Sequence, residues 1–565
     1  MAPEKTVNAN HLSSNVKEPS VASGAAVQLC TEENSPTESQ SNAHGEEQTH
    51  EYISGIKLVI VATGIALALF LVLIDTIIIS TAIPRITDEF KSLEDVGWYA
   101  SAYQFGGAIP LPLAGNIYTR FKLKWSFLMF FLVFEFGSVL CGAARSSTML
   151  TVGRAIAGVG CSGILSGAIT ILSACVPLEK RASLLGFTVG SGQIGLAVGP
   201  LIGGAFTTYA TWRWCFYINL PVGVLVAIAV SFIHIPEQLP KERALHVFAK
   251  LHHYLDLIGF ILFAPAVLQL LLALQYGGDK YAWNSSQVIG LFVGSAATFL
   301  VWFLWNYYKG DDALIPQSML HSRIVLVSGM FQGLWCSTIY IVLYYLPIYF
   351  QAVNNASAFQ SGVYYLPTVV LQLFGSALAG AIITKTGYLV PVGLVATVLG
   401  ATGCGLYSLL RPGTHAGWWV GFQLISGTGF GLGLYLTLLA VPAEQLPSAI
   451  AFVIFLQSLG PSIFLTLSNI IFLQSLRSQI SQNLSSADAA AIINSGATQF
   501  RAITAPHDLA AVLTAYAVSI GRVCYLAAAI ASICAILCWG LGWSNFGASK
   551  KSTTGSNTIS VEGKV

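Results

Sequence analysis

Charged residues make up 9% of this 565-residue chain and hydrophobic residues 55%, against about 25% and 45–50% in soluble domains. A chain so poor in charge cannot cover a surface in water, which excludes a soluble multidomain enzyme and confines disorder to local segments. With 27 basic against 25 acidic residues the net charge is +2, no signature of a nucleic-acid binder.

The pattern is that of an all-α polytopic membrane protein. Residues 1–56 read as a disordered cytoplasmic tail, with eight Glu before Tyr52 and no apolar stretch behind a basic start that would make a cleavable signal. Fourteen apolar runs follow, each near the roughly 20 residues a bilayer requires. Lys57–Ile83, Val96–Tyr118, Trp125–Ala144, Thr148–Val176, Ser183–Phe206 and Phe216–Ile235 make a first bundle of six over 57–235. A polar cytoplasmic linker, 236–254, leads to two extra helices, Leu255–Gln275 and Ser286–Tyr308, within 255–308. The second bundle of six spans 309–543: Ile324–Phe350, Gly362–Thr384, Leu389–Leu410, Trp418–Ala443, Ser448–Leu473 and Val523–Trp543. It includes a long extracellular loop, 476–521, and 544–565 form a second cytoplasmic tail.

Basic residues set the orientation. With a cytoplasmic N-terminus, eleven fall in inner loops (Arg120, Lys122, Lys124, Lys180, Arg181, Lys241, Arg243, Lys250, Lys309, Arg323, Lys385) and six in short outer ones (Arg85, Lys91, Arg145, Arg213, Lys280, Arg411). Both termini are therefore expected in the cytosol. The N-glycosylation sequons at Asn284, Asn355 and Asn483 all fall in loops that this topology places outside.

Three ionised residues lie well inside the runs: Asp75, Glu135 and Arg154. A charge at the bilayer centre costs about 2.5–3.5 kcal/mol on insertion scales, so each is expected to face a partner or a water-filled cavity. Asp75 lies about two turns and Arg154 one to two turns from the outer ends of their helices, depths that roughly match and allow an ion pair or a shared cavity. The choice is between proton coupling and a static pair that only joins helices; Glu135 offers the same choice. Gly195, Gly199 and Gly203 recur every four residues and share one helix face, open to close backbone approach, with Pro200 able to bend the helix. Gly427, Gly429, Gly431 and Gly433 recur every two, so they fall on more than one face and suggest flexibility. The ten cysteines read as small packing residues. The ten histidines lie in tails, loops or at a span end, which argues against a haem or other membrane enzyme. There is no phosphate-binding Gly-x4-Gly-Lys-Ser/Thr loop, so an ATP-driven pump is excluded. No metal site or cofactor is expected.

Several segments carry a family resemblance. They are Leu73 to Pro84 (LIDTIIISTAIP), Gly153 to Gly160 (GRAIAGVG), Gly195 to Gly204 (GLAVGPLIGG) and Trp212 to Pro221 (WRWCFYINLP). Together they resemble the fourteen-helix drug:proton antiporter branch of the major facilitator superfamily, in particular fungal pumps that export toxins and other secondary metabolites. The resemblance implies two six-helix bundles with two extra central helices. It gives motif roles to Asp75 and Arg154 in proton coupling, and makes Gly195, Gly199, Pro200, Gly203 and Gly204 the antiporter motif. Gly115, Arg120 and Lys124 belong to a cytoplasmic gating loop, in which Thr119 stands where the family pattern has an aspartate. It further implies a monomer in the plasma membrane, or alternatively a vacuolar or vesicle membrane. There it would exchange a lipophilic small molecule for protons. The rival on the same scaffold is an uptake carrier, such as a siderophore–iron transporter, because fold does not fix direction.

Overall fold

A computed structural model describes residues 52–176, 194–233, 256–277, 281–434, 446–483 and 495–542, with a few isolated positions between them. The two tails, most of the 236–254 linker and the first part of the fifth run lie outside the described residues.

The chain forms helices because its apolar stretches must satisfy every backbone polar group internally once in lipid. In chain order they are α1 (Gly55–Phe90), α2 (Val96–Ala108), α3 (Leu111–Arg120), α4 (Leu123–Gly142), α5 (Ser147–Cys175), α6 (Ile194–Tyr209), α7 (Trp214–Tyr217) and α8 (Asn219–Phe232). Then come α9 (Leu257–Tyr276), α10 (Ser286–Lys309), α11 (Gln317–His321), α12 (Arg323–Ala352), α13 (Ala358–Thr386), α14 (Val390–Tyr407), α15 (Ala416–Leu434), α16 (Leu446–Asn483), α17 (Phe500–Ile503) and α18 (Leu509–Gly540). Among the described residues there is no strand, only an isolated bridge between Gly277 and Tyr281.

Eleven of these helical segments are long and apolar enough to cross a membrane. The fourteen expected spans are consistent with them. The second run breaks at Pro110 into α2 and α3, since proline lacks the N–H that a continuous helix would use. The fifth is described only from Ile194, and α15 is diluted by its glycines and Gln423.

Two boundaries differ from the sequence reading. Helix α1 does not stop at Ile83 but runs through Pro84 to Phe90, ending on Lys91 in the left-handed region. The segment expected as one loop over 476–521 is mostly helical at its ends: α16 extends to Asn483 and α18 already begins at Leu509. At the ends of α1 and α16 the helix continues past the apolar stretch with a more polar sequence, which hydropathy alone does not register; the start of α18, LAAVLTAYAVSIGR over 509–522, is itself largely apolar, and the expected run began too late.

In the first group α1 packs on α5, α6 and α8, while α5 also packs on α2 and α4. In the second, α12 packs on α16 and α18, and α15 lies between α13 and α14. The groups meet along two seams, α2 with α16 and α6 with α13. The pair α9 and α10 leans on the first seam. Phe263 stacks near Trp302 (ring centroids 4.9 Å) and Phe455 (5.7 Å), and the same apolar cluster includes Ala108, Ile109 and Leu111 at the helix break. Asp256 fixes the pair: its carboxylate accepts from Gly259 N at 2.9 Å, capping α9, and from Trp305 Nε1 and Leu314 N, each at 2.8 Å.

The glycines of α15 have a firmer role than flexibility. A β-carbon at Gly427 would sit 2.5 Å from the Thr368 carbonyl of α13, and one at Gly431 would press on the Gln372 carbonyl. On the opposite face Gly429 lies against α14 at Gly400 and Ala396, and Gly433 against the Trp335 indole. A spacing of two in a helix of period 3.6 supplies two opposed smooth faces, both tightly packed.

Candidate functional site

Asp75 lies near the middle of α1, because the helix continues fifteen residues beyond it. Arg154 lies two turns into α5, whose start is capped by the Ser146 side chain accepting from Met149 N. One turn on, Gly158 has no side chain where α2 crosses; a β-carbon there would meet the Tyr103 carbonyl and lie 2.8 Å from Gly107 N. That close crossing puts the Arg154 guanidinium over the Tyr103 ring, 4.1 Å from its centroid, a favourable cation–π geometry. Arg154 Nε donates to the Tyr99 carbonyl at 3.1 Å. Its Nη1 donates to Asp75 Oδ2 at 2.6 Å and to the Asp75 carbonyl at 3.3 Å.

The second carboxylate oxygen is held too. Asn219, the first residue of α8, donates from Nδ2 to Asp75 Oδ1 at 3.1 Å and to Ser138 Oγ of α4 at 3.0 Å. Asp75, Arg154 and Asn219 are all 0% exposed. The sequence thus anticipated the ion pair but not its amide partner. Asn219 stands in the quoted WRWCFYINLP segment, yet a neutral amide costs less to bury than an ionised group and was not singled out. Removing one member of a buried ion pair strands the other, at about 3–5 kcal/mol.

The pair lies at the interface between the groups. Tyr344 of α12 has its hydroxyl beside Arg154 and donates to the Thr76 carbonyl of α1 at 3.1 Å. Its neighbours in sequence act differently: Tyr349 donates to the Arg411 carbonyl at 2.9 Å, and Tyr345 packs near the Phe472 ring at 5.6 Å. Glu135 lies one turn before Ser138 on α4. Its two oxygens are shielded from solvent and find no hydrogen-bond partner among the described residues. It occupies the space left by Gly223 of α8, whose β-carbon would fall 2.6 Å from the Glu135 carboxyl carbon.

The glycines on α6 divide between two neighbours. Gly195, Gly199 and Gly203 face α1, and the contact is closest at Gly203. A β-carbon would be 3.0 Å from the Phe70 carbonyl at Gly195 and 3.4 Å from Ile77 at Gly199, but would run into the Ile78 carbonyl at Gly203. Gly204 faces the other group, where a β-carbon would be 2.6 Å from the Ala358 carbonyl, and the Pro200 carbonyl fills the space beside Gly362. The loop with Gly115, Arg120 and Lys124 makes its described contacts near α8. Lys124 Nζ binds the Ser231 carbonyl and, at 3.2 Å, that of Ile233. Lys241 Nζ donates to the Tyr118 and Thr119 carbonyls, at 3.0 and 2.7 Å, and Leu123 N to Glu237 at 2.7 Å. Burial draws the Lys241 ammonium below the usual lysine range, with Arg120 adding to the shift and Glu237 opposing it. Gly115 borders open space and Arg120 is exposed. Asn284 and Asn355 are exposed, and Asn483 is the last residue of α16; all three sit at the end of the bundle where α1 finishes and α18 starts.

A model of the Major Facilitator Superfamily matches residues 65–465. The chain belongs to the Major Facilitator Superfamily. The superfamily consists of transporters, so this chain is a transporter and not an enzyme. It is 48% identical over 498 residues to "MFS-type transporter pigP" of Monascus ruber, covering 87% of each chain. It is 42% identical over 509 residues to "Efflux pump mlcE" of Penicillium citrinum, covering 88% of this chain and 92% of the relative. Solved superfamily structures share the fold at low identity. A bacterial homologue of the human lysosomal transporter Spinster, inward-facing and unoccupied, gives a TM-score of 0.58 at 15% identity, covering 87% of this chain and all of that one. The xylose transporter XylE from E. coli, inward-open, gives 0.54 at 13%, covering 87% and 99%.

Proposed function

We propose that this superfamily member is a secondary active efflux pump. It exports a lipophilic small molecule of the secondary-metabolite class in exchange for protons, with Asp75 as the carboxylate that takes up and releases the proton. The observation that carries the reading is the Asp75–Arg154 pair: a fully buried ion pair inside the bundle, with Tyr344 of the opposite helix group beside it. Protonating Asp75 frees Arg154 from its counter-charge and changes what Tyr344 meets across the interface, which ties a proton to the relative position of the groups. Glu135, on the α4 face that also holds Ser138, is the second acid in reach. The named efflux relatives support the direction of transport. The end carrying Asn284, Asn355 and Asn483 is taken as the outside, with both termini in the cytosol of a plasma-membrane monomer. The basic-residue bias and the exposure of Asn284 and Asn355 support that orientation.

The test uses inverted vesicles holding the purified chain, an imposed inside-acid gradient, and a whole organic extract of the producing culture as probe. Mass spectrometry should find lipophilic metabolites accumulating inside, and dissipating the gradient should abolish the accumulation. Accumulation of iron chelates by intact cells instead, with no gradient-driven uptake by the inverted vesicles, would turn the reading toward an importer.

A further inference from the structure

The end of the bundle taken above as outer is fastened by a strap. Residues 495–504, between α16 and α18, belong to the second helix group yet bind the tip of α1. The Asp88 carboxylate, 1% exposed, accepts from Thr498 N at 3.0 Å, from Gln499 N at 3.3 Å and from the Thr498 hydroxyl. Ala497 N donates to Thr87 Oγ1 at 3.3 Å, and Lys91 Nζ reaches the Ser495 carbonyl and the Gln499 side chain. The approach requires Gly496: its φ is +100°, and a β-carbon there would lie 2.7 Å from Asp88 Cα. The strap is also tied to its own group. Arg501 Nη2 donates to the Ala352 and Val353 carbonyls at the end of α12, at 2.8 and 2.9 Å, and Phe500 stacks on Tyr516 of α18 at 4.7 Å. One short segment thus joins the outer tips of α1 and α12, the two helices that flank the Asp75 pair.

We propose that Asp88 is the outer latch of this transporter: its carboxylate holds the 495–499 strap while the external face is shut, and it must release the strap before that face can open. Charge-assisted bonds to two backbone amides and a hydroxyl are strong and directional. Two further contacts act on the same face: Gln351 Nε2 of α12 donates to the Thr81 carbonyl at 3.0 Å, and Arg477 of α16 pairs with Glu94 at 2.7 Å. The latch is independent of which solute is carried, so its test needs none.

The reporter is Ser80→Cys, a position 0% exposed on α1 between the Thr76 and Thr81 carbonyls that α12 holds. Its labelling by a membrane-impermeant maleimide is followed from outside in full-length protein. With Asp88 intact labelling is slow; in the Asp88→Ala background it should rise about tenfold. Arg501→Gln, which frees the strap from α12, should raise it too, while the buried native thiols such as Cys141 stay unlabelled. An unchanged Ser80→Cys rate in both backgrounds overturns the latch. So does a parallel rise at Cys141, which would mean general loosening of the bundle. A second arm pairs Asp88→Cys with Thr498→Cys in the Ser80→Cys protein: their disulfide should keep the impermeant reagent from the position 80 thiol until it is reduced, and free labelling in the cross-linked protein overturns the proposal equally.

Discussion

The two helix groups solve the problem of polarity in a membrane differently. The first buries full charges: Asp75, Asp88 and Arg154 are all at or below 1% exposed. Among the described residues from Arg323 to Leu541 no charged side chain is buried to that degree. Its interior polarity is neutral: Tyr407 with Ser426 at 2.6 Å, Thr368 with Gln423 at 2.9 Å, the Trp335 indole on the Phe430 carbonyl at 3.3 Å. A buried charge is stable only with its partners in place, so it couples strongly to rearrangement. Neutral aromatic surface can slide or be reshaped at much smaller electrostatic cost. Under the proposed function, response to protons belongs to the first group and accommodation of an apolar solute to the second.

The sharpest way to break that division is Asp75→Asn. It should leave the protein in the membrane but lower gradient-driven accumulation in inverted vesicles by about a hundredfold, while downhill exchange survives. Arg154→Ala should give a comparable loss, and the double variant should be no worse than the worse single one, because the two residues act as a unit. Full uphill transport by Asp75→Asn would make the pair structural and move the search to Glu135.

Next in size is Gly203→Leu. A side chain there would collide with the Ile78 carbonyl, so transport should fall by about tenfold or more at normal surface abundance, whereas Gly199→Ala, with only ordinary contact to Ile77, should transport close to normally. Equal damage from both would show that the α1–α6 face is closed uniformly rather than at its outer end.

On the neutral side, Trp335→Phe removes an indole that fits against Gly400 and Gly433. A loss of about 1–3 kcal/mol is expected from the vacated volume, seen as a lower unfolding temperature, with a changed ranking of transported metabolites but the same dependence on the proton gradient. Loss of coupling here would blur the division. The smallest effect belongs to Glu89→Gln. The Glu89–Arg213 pair, 2.9 Å apart, is 43% and 29% exposed, and such pairs contribute about 0–1 kcal/mol. Its removal should shift thermal stability barely beyond error and leave transport intact.

The helices and the ion pair were legible because both follow from cost: apolar length demands helix, and three charges in hydrocarbon demand partners. What could not be read lies where cost is silent. Helix α1 continues through Pro84 with Thr87 and Asp88 held by the other group at Ala497, Thr498 and Gln499, a tertiary fact with no local signal. Asn219 is an amide in an apolar segment and looks no different from a cross-helix bond such as that of Gln332 to the Leu434 carbonyl. The glycines at four-residue spacing were read on the right face. Those at two-residue spacing were rightly put on more than one face, but their packing was read as flexibility, because the neighbours pressing on a helix are invisible in its own sequence. Asp88 passed unnoticed for the same reason: its partners lie some 410 residues away.

The α9–α10 pair has a mechanical meaning. It is stitched to both covers of the molecule, through Phe263 to Phe455 on one side and, on the other, through Gln275 Nε2 to the Glu94 carbonyl at 2.9 Å. It behaves like the spine of a book, letting the covers turn while keeping that edge together. The fore-edge is held instead by α6 packing directly on α13, where Gly204 meets the Ala358 carbonyl and Gly362 the Pro200 carbonyl. One edge of the molecule is thus bound through a third element, the other by direct contact of backbone on backbone.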